Sequence, residues 1–140
     1  MKKTLLTIAL STLAFTNIQA KDIDGHKVFQ KNCASCHVEF MEKKEVLKKF
    51  KTLKAPPMNE VAFRLNENII NLDDDDDVKR QMIIVWIKNY IDAPSMEYSM
   101  CHAGAIERFG IMPSLKGQLN EAEKQAVAEW ILDRYEGIAF

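Results

Sequence analysis

The chain has 140 residues with 19 basic and 20 acidic side chains, so its formal net charge at pH 7 is −1. This balance argues against nucleic-acid binding, which needs a strongly basic surface. The length suits one domain, and no internal repeat or low-complexity linker divides the chain.

The first 20 residues are typical of an export signal. A short basic start, Met1 to Lys3, precedes a mostly apolar stretch from Thr4 to Phe15, and the segment ends at the small residue Ala20. Because a bilayer-spanning helix needs about 20 apolar residues, we expect cleavage rather than a membrane anchor. We therefore predict a signal peptide at 1–20 and one domain at 21–140. Cleavage removes two basic residues and no acidic one, which leaves a net charge of −3.

The most specific motif is Cys33-Ala34-Ser35-Cys36-His37. Cys-x-x-Cys-His is the signature of covalent c-type haem attachment. Thiols three positions apart lie on neighbouring turns of a helix, so both sulfurs can add to the vinyl groups on one porphyrin edge. The adjacent imidazole then reaches the iron. A bare Cys-x-x-Cys would also suit a redox disulfide or half of a zinc site, but His37 favours haem.

The remaining sequence predicts helices, without convincing strand alternation. In the second predicted helix Val46, Leu47 and Phe50 form the apolar stripe, and Asn59 is expected to cap the third. The fourth is rich in β-branched residues, yet its flanking sequence favours a buried helix over a strand. The five predicted helices cover 24–32, 42–51, 59–70, 78–91 and 120–135.

Two charged stretches stand out, at Lys43 to Lys54 and Asp73 to Asp77. A calcium-binding EF-hand loop starting at Asp73 fails, because Val78 and Ile84 occupy the positions that need glycine and glutamate. The aspartates are expected to cap the following helix. The lysines fit either a solvated helix face or a docking patch for an acidic redox partner.

Gly25 and Phe29 before the haem motif, the dipeptide Met112-Pro113 and the aromatic Trp130 in the last helix complete a family pattern. The mature chain resembles a class I mono-haem cytochrome c. The resemblance implies an all-α bundle of about five helices around one covalently bound haem c. It also implies that the first and last helices cross, with Gly25 permitting close approach and Phe29 packing near Trp130.

His37 is the expected first axial ligand of the haem iron, and the second is a choice among methionines. Met112 lies in an interhelical loop, 109–115, which matches the Met-Pro ligand loop of the family. Met58 is its chief rival, and a core methionine is the remaining alternative. A thioether ligand raises the reduction potential relative to a second histidine. The mature chain contains six methionines, namely Met41, Met58, Met82, Met96, Met100 and Met112.

Further predictions concern the hydrogen-bond partner of His37, the other two histidines and Cys101. The family implies that a carbonyl near Pro56 or Pro57 accepts a hydrogen bond from His37. His26 and His102 are interpreted as surface residues, with iron ligation as the alternative. Cys101 is an unpaired thiol that the family pattern does not explain, and it suits either a small buried residue or intermolecular pairing.

The sequence therefore predicts a periplasmic electron carrier without enzymatic activity, with Cys33, Cys36, His37 and Met112 at the haem. Its redox partners would dock transiently. Two alternatives stay open: a ligand-binding or peroxidase-like haem protein with a labile sixth ligand, and a cytochrome subunit of a larger oxidoreductase. No distal His-Arg pair is recognisable, which argues mildly against the first alternative.

Overall fold

The computed structural model describes residues 23–70 and 75–140, and within these ranges it is all-helical. The predicted signal peptide and the aspartates at 73 and 74 lie outside the described residues. No described helix is long and apolar enough to cross a membrane. The helices are α1 (Gly25–Asn32), α2 (Lys43–Lys49), α3 (Met58–Asn68), α4 (Asp76–Asp92), α5 (Ala103–Phe109) and α6 (Glu121–Tyr135).

Helices α1 and α6 pack in direct contact, as the resemblance implied. A Cβ added to Gly25 would lie 2.1 Å from the Ala126 carbonyl oxygen and 2.6 Å from the Cβ of Trp130. Phe29 is fully buried, and its ring centroid lies 4.9 Å from that of Trp130. The absence of a side chain at Gly25 therefore allows the close approach that brings these two rings together.

Both partner helices have well-defined beginnings. The Asp24 carboxylate caps α1 by accepting a hydrogen bond from Lys27 N at 3.1 Å. Asn120 and Glu123 form a reciprocal capping box at the start of α6, with 2.9 Å for each bond. Such caps satisfy backbone N–H groups that have no partner inside the helix.

Helix α4 is buried on one face only, although the sequence predicted a buried helix. One face contributes Ile83, Ile84, Ile87 and Ile91 to the core, while Val85 on the opposite face is 54% exposed. The helix is two residues longer at its start than predicted. The Asp75 carboxylate caps it by accepting hydrogen bonds from the next turn, so the described aspartates act as a helix cap.

Three helix predictions need correction. Helix α3 begins at Met58 after Pro57, and Asn59 does not cap it. The Asn59 amide is instead buried and bonds to both backbone groups of Met41, at 3.1 and 3.0 Å. Leu47 was expected in the apolar stripe of the second helix, but it is 70% exposed and α2 ends at Lys49. Helix α5 was not predicted; it is seven residues long and its single buried residue is Ala105.

Candidate haem site

The Cys-x-x-Cys-His motif forms a tight turn directly after α1. Cys33 is the C-cap of the helix, and its carbonyl accepts hydrogen bonds from Cys36 N at 3.1 Å and His37 N at 3.0 Å. The sequence predicted both cysteines on one short helix. In the structure α1 ends at Asn32, and the motif continues the chain as a hydrogen-bonded turn. All three functional side chains of the motif still line one cavity.

Burial controls the protonation of the Cys33 thiol. It raises the pKa of Cys33 to about 11, and the neighbouring Cys36 adds a smaller effect in the same direction. Before haem attachment Cys33 is therefore a neutral thiol at physiological pH. It is not the low-pKa thiolate that redox-active Cys-x-x-Cys sites use.

His37 is oriented by the backbone on the far side of the lysine-rich segment. Its Nδ1 lies 2.8 Å from the Pro56 carbonyl oxygen, and because a carbonyl can only accept, Nδ1 carries the proton. Burial lowers the His37 pKa, which favours the neutral ring. Nε2 is then the unprotonated nitrogen, as an imidazole ligand to iron requires. Pro56 rather than Pro57 supplies the predicted carbonyl.

The cavity beside the motif is mostly apolar. Its walls come from α3, α4, α6 and the loop after α5, with side chains that include Leu65, Trp86, Ile87, Val127 and Ile131. Trp86 and Tyr90 are stacked with ring centroids 4.6 Å apart, and both line the cavity. A flat, apolar prosthetic group attached at Cys33 and Cys36 fits such a space.

Three of the six methionines line this cavity: Met58, Met100 and Met112. Met82 and Met96 are exposed on the surface. Met112 and Met58, the two candidate ligands from the sequence, therefore both line the cavity, and Met100 becomes a third candidate. Met58 is 6% exposed and belongs to the packed core, whereas Met112 is half-buried and lies in the loop that follows α5.

One buried polar atom in the cavity wall has no partner. Nε of Arg64 is excluded from solvent and makes no hydrogen bond within the described part of the chain. Arg64 lines the same cavity. An orphaned guanidinium N–H is a costly feature that a carboxylate of a bound group would satisfy, and haem carries two propionates.

Cys101 also lines the cavity, which the sequence did not predict. Its thiol is partly buried, and burial raises its pKa, so it is a neutral group. Its backbone N–H donates to Ser99 Oγ at 3.3 Å. The expectation of a small buried residue is met only in part, because Cys101 is half-buried.

The two remaining histidines lie elsewhere. The His102 Nδ1 accepts a hydrogen bond from Ala105 N at 3.3 Å and so caps α5. His26 was expected to be a surface residue, and it is half-exposed while it stacks on Trp130 and bonds to Glu39 at 2.8 Å. Neither belongs to the described cavity lining. Among the described residues, no cluster of three or more His, Cys, Asp or Glu side chains could hold a metal ion.

Several cavity residues were missed because their signal is long-range. Arg64, Met100 and Cys101 lie far from the haem motif in sequence and follow no motif of their own. Trp86 and Tyr90 could have been recognised as a pair, because residues four apart share a helix face. A sequence pattern could not say that this face borders the haem motif.

Comparison with known proteins agrees with this geometry. Residues 23–134 match the family model for cytochrome c. The chain therefore belongs to the cytochrome c family, and it is a haem-binding electron-transfer protein with covalently bound haem c. It is also 33% identical over 147 aligned residues to an uncharacterized protein of Aquifex aeolicus (strain VF5), across 96% of this chain and 89% of that protein. No solved structure matches the chain.

Proposed function

We propose that the protein is an exported, periplasmic electron carrier with a single haem c. Cys33 and Cys36 would hold the haem through thioether bonds, and His37 and Met112 would be the axial ligands of its iron. The observation that carries the proposal is the convergence of the motif, the Pro56-oriented imidazole and Met112 on one apolar cavity. Bound haem c would supply an iron that takes up and releases one electron. We propose that the protein transfers electrons without acting as an enzyme.

The chain's own residues would set the conditions for this cycle. The Pro56 carbonyl holds the His37 proton on Nδ1 and fixes the direction of the ring. The mostly apolar walls of the cavity would limit the access of water to the bound haem. Arg64 would meet a haem propionate through its unpartnered Nε, because a carboxylate accepts strongly from guanidinium.

Met112 is preferred to Met58 as the sixth ligand because of the chain segments that carry them. Met58 lies two residues after Pro56, the residue that orients the first ligand. Met112 comes from a separate loop that is anchored at its far end. Ser114 Oγ donates to the Asp92 carbonyl at 2.6 Å, and Leu115 N donates to the Ile91 carbonyl at 2.9 Å. A pinned loop supports ligation by restricting the methionine to the cavity.

An optical spectrum in both redox states, with carbon monoxide added, tests the proposal. We expect a methionine-to-ferric-iron charge-transfer band and no carbon monoxide binding by the ferrous protein. Met112→Ala should abolish the band and open the iron to carbon monoxide, whereas Met58→Ala and Met100→Ala should retain the band. A wild-type protein that binds carbon monoxide readily would contradict a closed His/Met site.

The lysine-rich segment 43–54 is the proposed docking surface for an acidic redox partner. Its lysines are exposed, and Lys54 Nζ donates to the carbonyl of Ser35 within the haem motif at 3.3 Å. Positive charge beside the cofactor would steer an acidic partner toward it. Electron transfer to an acidic cytochrome partner should slow as salt rises, and Lys44→Glu should reduce this salt dependence. A rate independent of ionic strength would contradict this surface.

A further inference from the structure

Arg108, near the end of α5, connects two segments that are distant in sequence. One is the stretch 50–53 before Pro56, and the other is the loop that carries Met112. The Nε of Arg108 donates to the Phe50 carbonyl at 3.1 Å. Its Nη2 donates to the carbonyls of Lys51 at 2.6 Å and Leu53 at 3.0 Å. These three acceptors lie just before Pro56, the residue that orients His37.

The other end of this connection leads to Met112. Phe109 follows Arg108, and its ring meets that of Phe50 edge-on with centroids 5.3 Å apart. Gly110 then adopts φ 69°, a left-handed conformation that lets the chain turn away from the helix at once. From Phe109 to Pro113 the residues line the cavity. The position of α5 therefore determines where this loop begins.

Helix α5 has few other means of attachment. It is seven residues long, and Ala105 is its single buried residue. A helix this short and this exposed gains little stability by itself. The hydrogen bonds of Arg108 and the aromatic pair at Phe50 thus provide a large part of its connection to the rest of the molecule.

We infer that Arg108 is a positioning residue that fixes the Met112 loop against the Pro56 segment and so holds the sixth ligand of the haem in place. This inference rests on the proposed His/Met ligation. The far end of the loop is held independently by the Ser114 and Leu115 hydrogen bonds. Loss of Arg108 would release the near end, and Met112 would leave the iron more often.

Arginine is required here for its shape as well as its charge. Its planar guanidinium offers donors in a fixed fork, so Nε and Nη2 can serve three carbonyls together. A lysine would keep the positive charge, but its single ammonium on a flexible stem would not reproduce this arrangement. Arg108→Lys therefore separates a positioning effect from an electrostatic effect on the haem.

The test compares the holoproteins of wild type, Arg108→Ala, Arg108→Lys and the control Arg80→Ala. Arg80 forms an ion pair with Asp133 at 2.8 Å, between α4 and α6, and it does not line the haem cavity. The readouts are the charge-transfer band of the ferric protein and the rate of carbon monoxide binding by the ferrous protein. For both Arg108 variants we expect a weaker charge-transfer band than in wild type, together with carbon monoxide binding that wild type lacks. Arg80→Ala should match wild type in both readouts.

Unchanged bands and carbon monoxide rates in both Arg108 variants would overturn the inference while leaving His/Met ligation intact. If Arg108→Ala does not yield holoprotein, Arg108→Lys decides the matter alone. An Arg108→Lys protein identical to wild type would then show that charge suffices and would also overturn the inference. Absence of the band from wild type itself would overturn the ligation and the inference together.

Discussion

Gly25→Ala tests whether the contact between α1 and α6 depends on the absence of a side chain. The new Cβ would lie 2.1 Å from the Ala126 carbonyl oxygen, where real Cβ atoms are essentially never found. The obstacle is the backbone of a helix, which cannot rotate aside as a flexible side chain could. The helices must therefore separate, and the contact between Phe29 and Trp130 must loosen.

The size of the effect follows from two opposing contributions. Forcing an extra methyl group into a tight interface costs up to about 3 kcal/mol. Replacing glycine by alanine in a helix returns up to about 1 kcal/mol. We expect a net loss of about 2 kcal/mol in the free energy of unfolding, measured by guanidinium titration of the ferric holoprotein. For a domain of this size the thermal midpoint should fall by about 8 °C.

Gly104→Ala is the matched control. A Cβ at this position in α5 would meet the His102 ring at 3.4 Å, an ordinary van der Waals contact. We therefore expect Gly104→Ala to be neutral or slightly stabilising. If Gly25→Ala unfolds at the same denaturant concentration as wild type, the reasoning about the helix contact is wrong.

Three further substitutions probe the polar groups that support the site. Burial raises the Glu60 pKa, so the folded protein loses stability as this carboxyl ionises with rising pH. Glu60→Gln should thus be more stable than wild type at neutral pH, and the advantage should vanish near pH 4, which unfolding curves at both pH values would reveal. Tyr135→Phe removes the 2.6 Å bond from its hydroxyl to the Glu39 carbonyl and should cost about 1 kcal/mol in a thermal melt. Asn59→Ala leaves both backbone groups of Met41 without a partner and should cost about 2 kcal/mol, and an equally stable variant would exclude a role for this amide.

The elements that could be predicted from sequence are those whose signal is local. The haem motif is readable because two thioether bonds and one axial ligand require a fixed, contiguous spacing. The start of α6 is readable because Asn120 and Glu123 form a capping box across three positions. The packing of Gly25 and Phe29 against Trp130 was predicted only through the resemblance, because the local sequence around these residues does not identify a long-range contact.

The errors have a common physical origin in tertiary contacts that override local preference. Asn59 is a good capping residue, but the backbone of Met41 provides a better partner inside the fold. Leu47 lies three positions before Phe50, which is a helical spacing, yet the short helix α2 buries only Val46. Helix α5 has no amphipathic pattern to detect, because its attachment comes from the main-chain carbonyls that Arg108 contacts.

The long connection between His37 and Pro56 also contributes to the position of α5 through its contacts with Arg108. Joining residues 19 positions apart costs loop-closure entropy, and the segment contributes few buried side chains to offset it. Its carbonyls nevertheless accept hydrogen bonds from Arg108, which lies near the end of α5 and just before the Met112 loop. The segment that orients His37, the proposed first iron ligand, therefore also supports the start of the loop that would carry the second. Shortening the connection should therefore strain both the His37 hydrogen bond to Pro56 and the Arg108 hydrogen bonds that support the start of the Met112 loop.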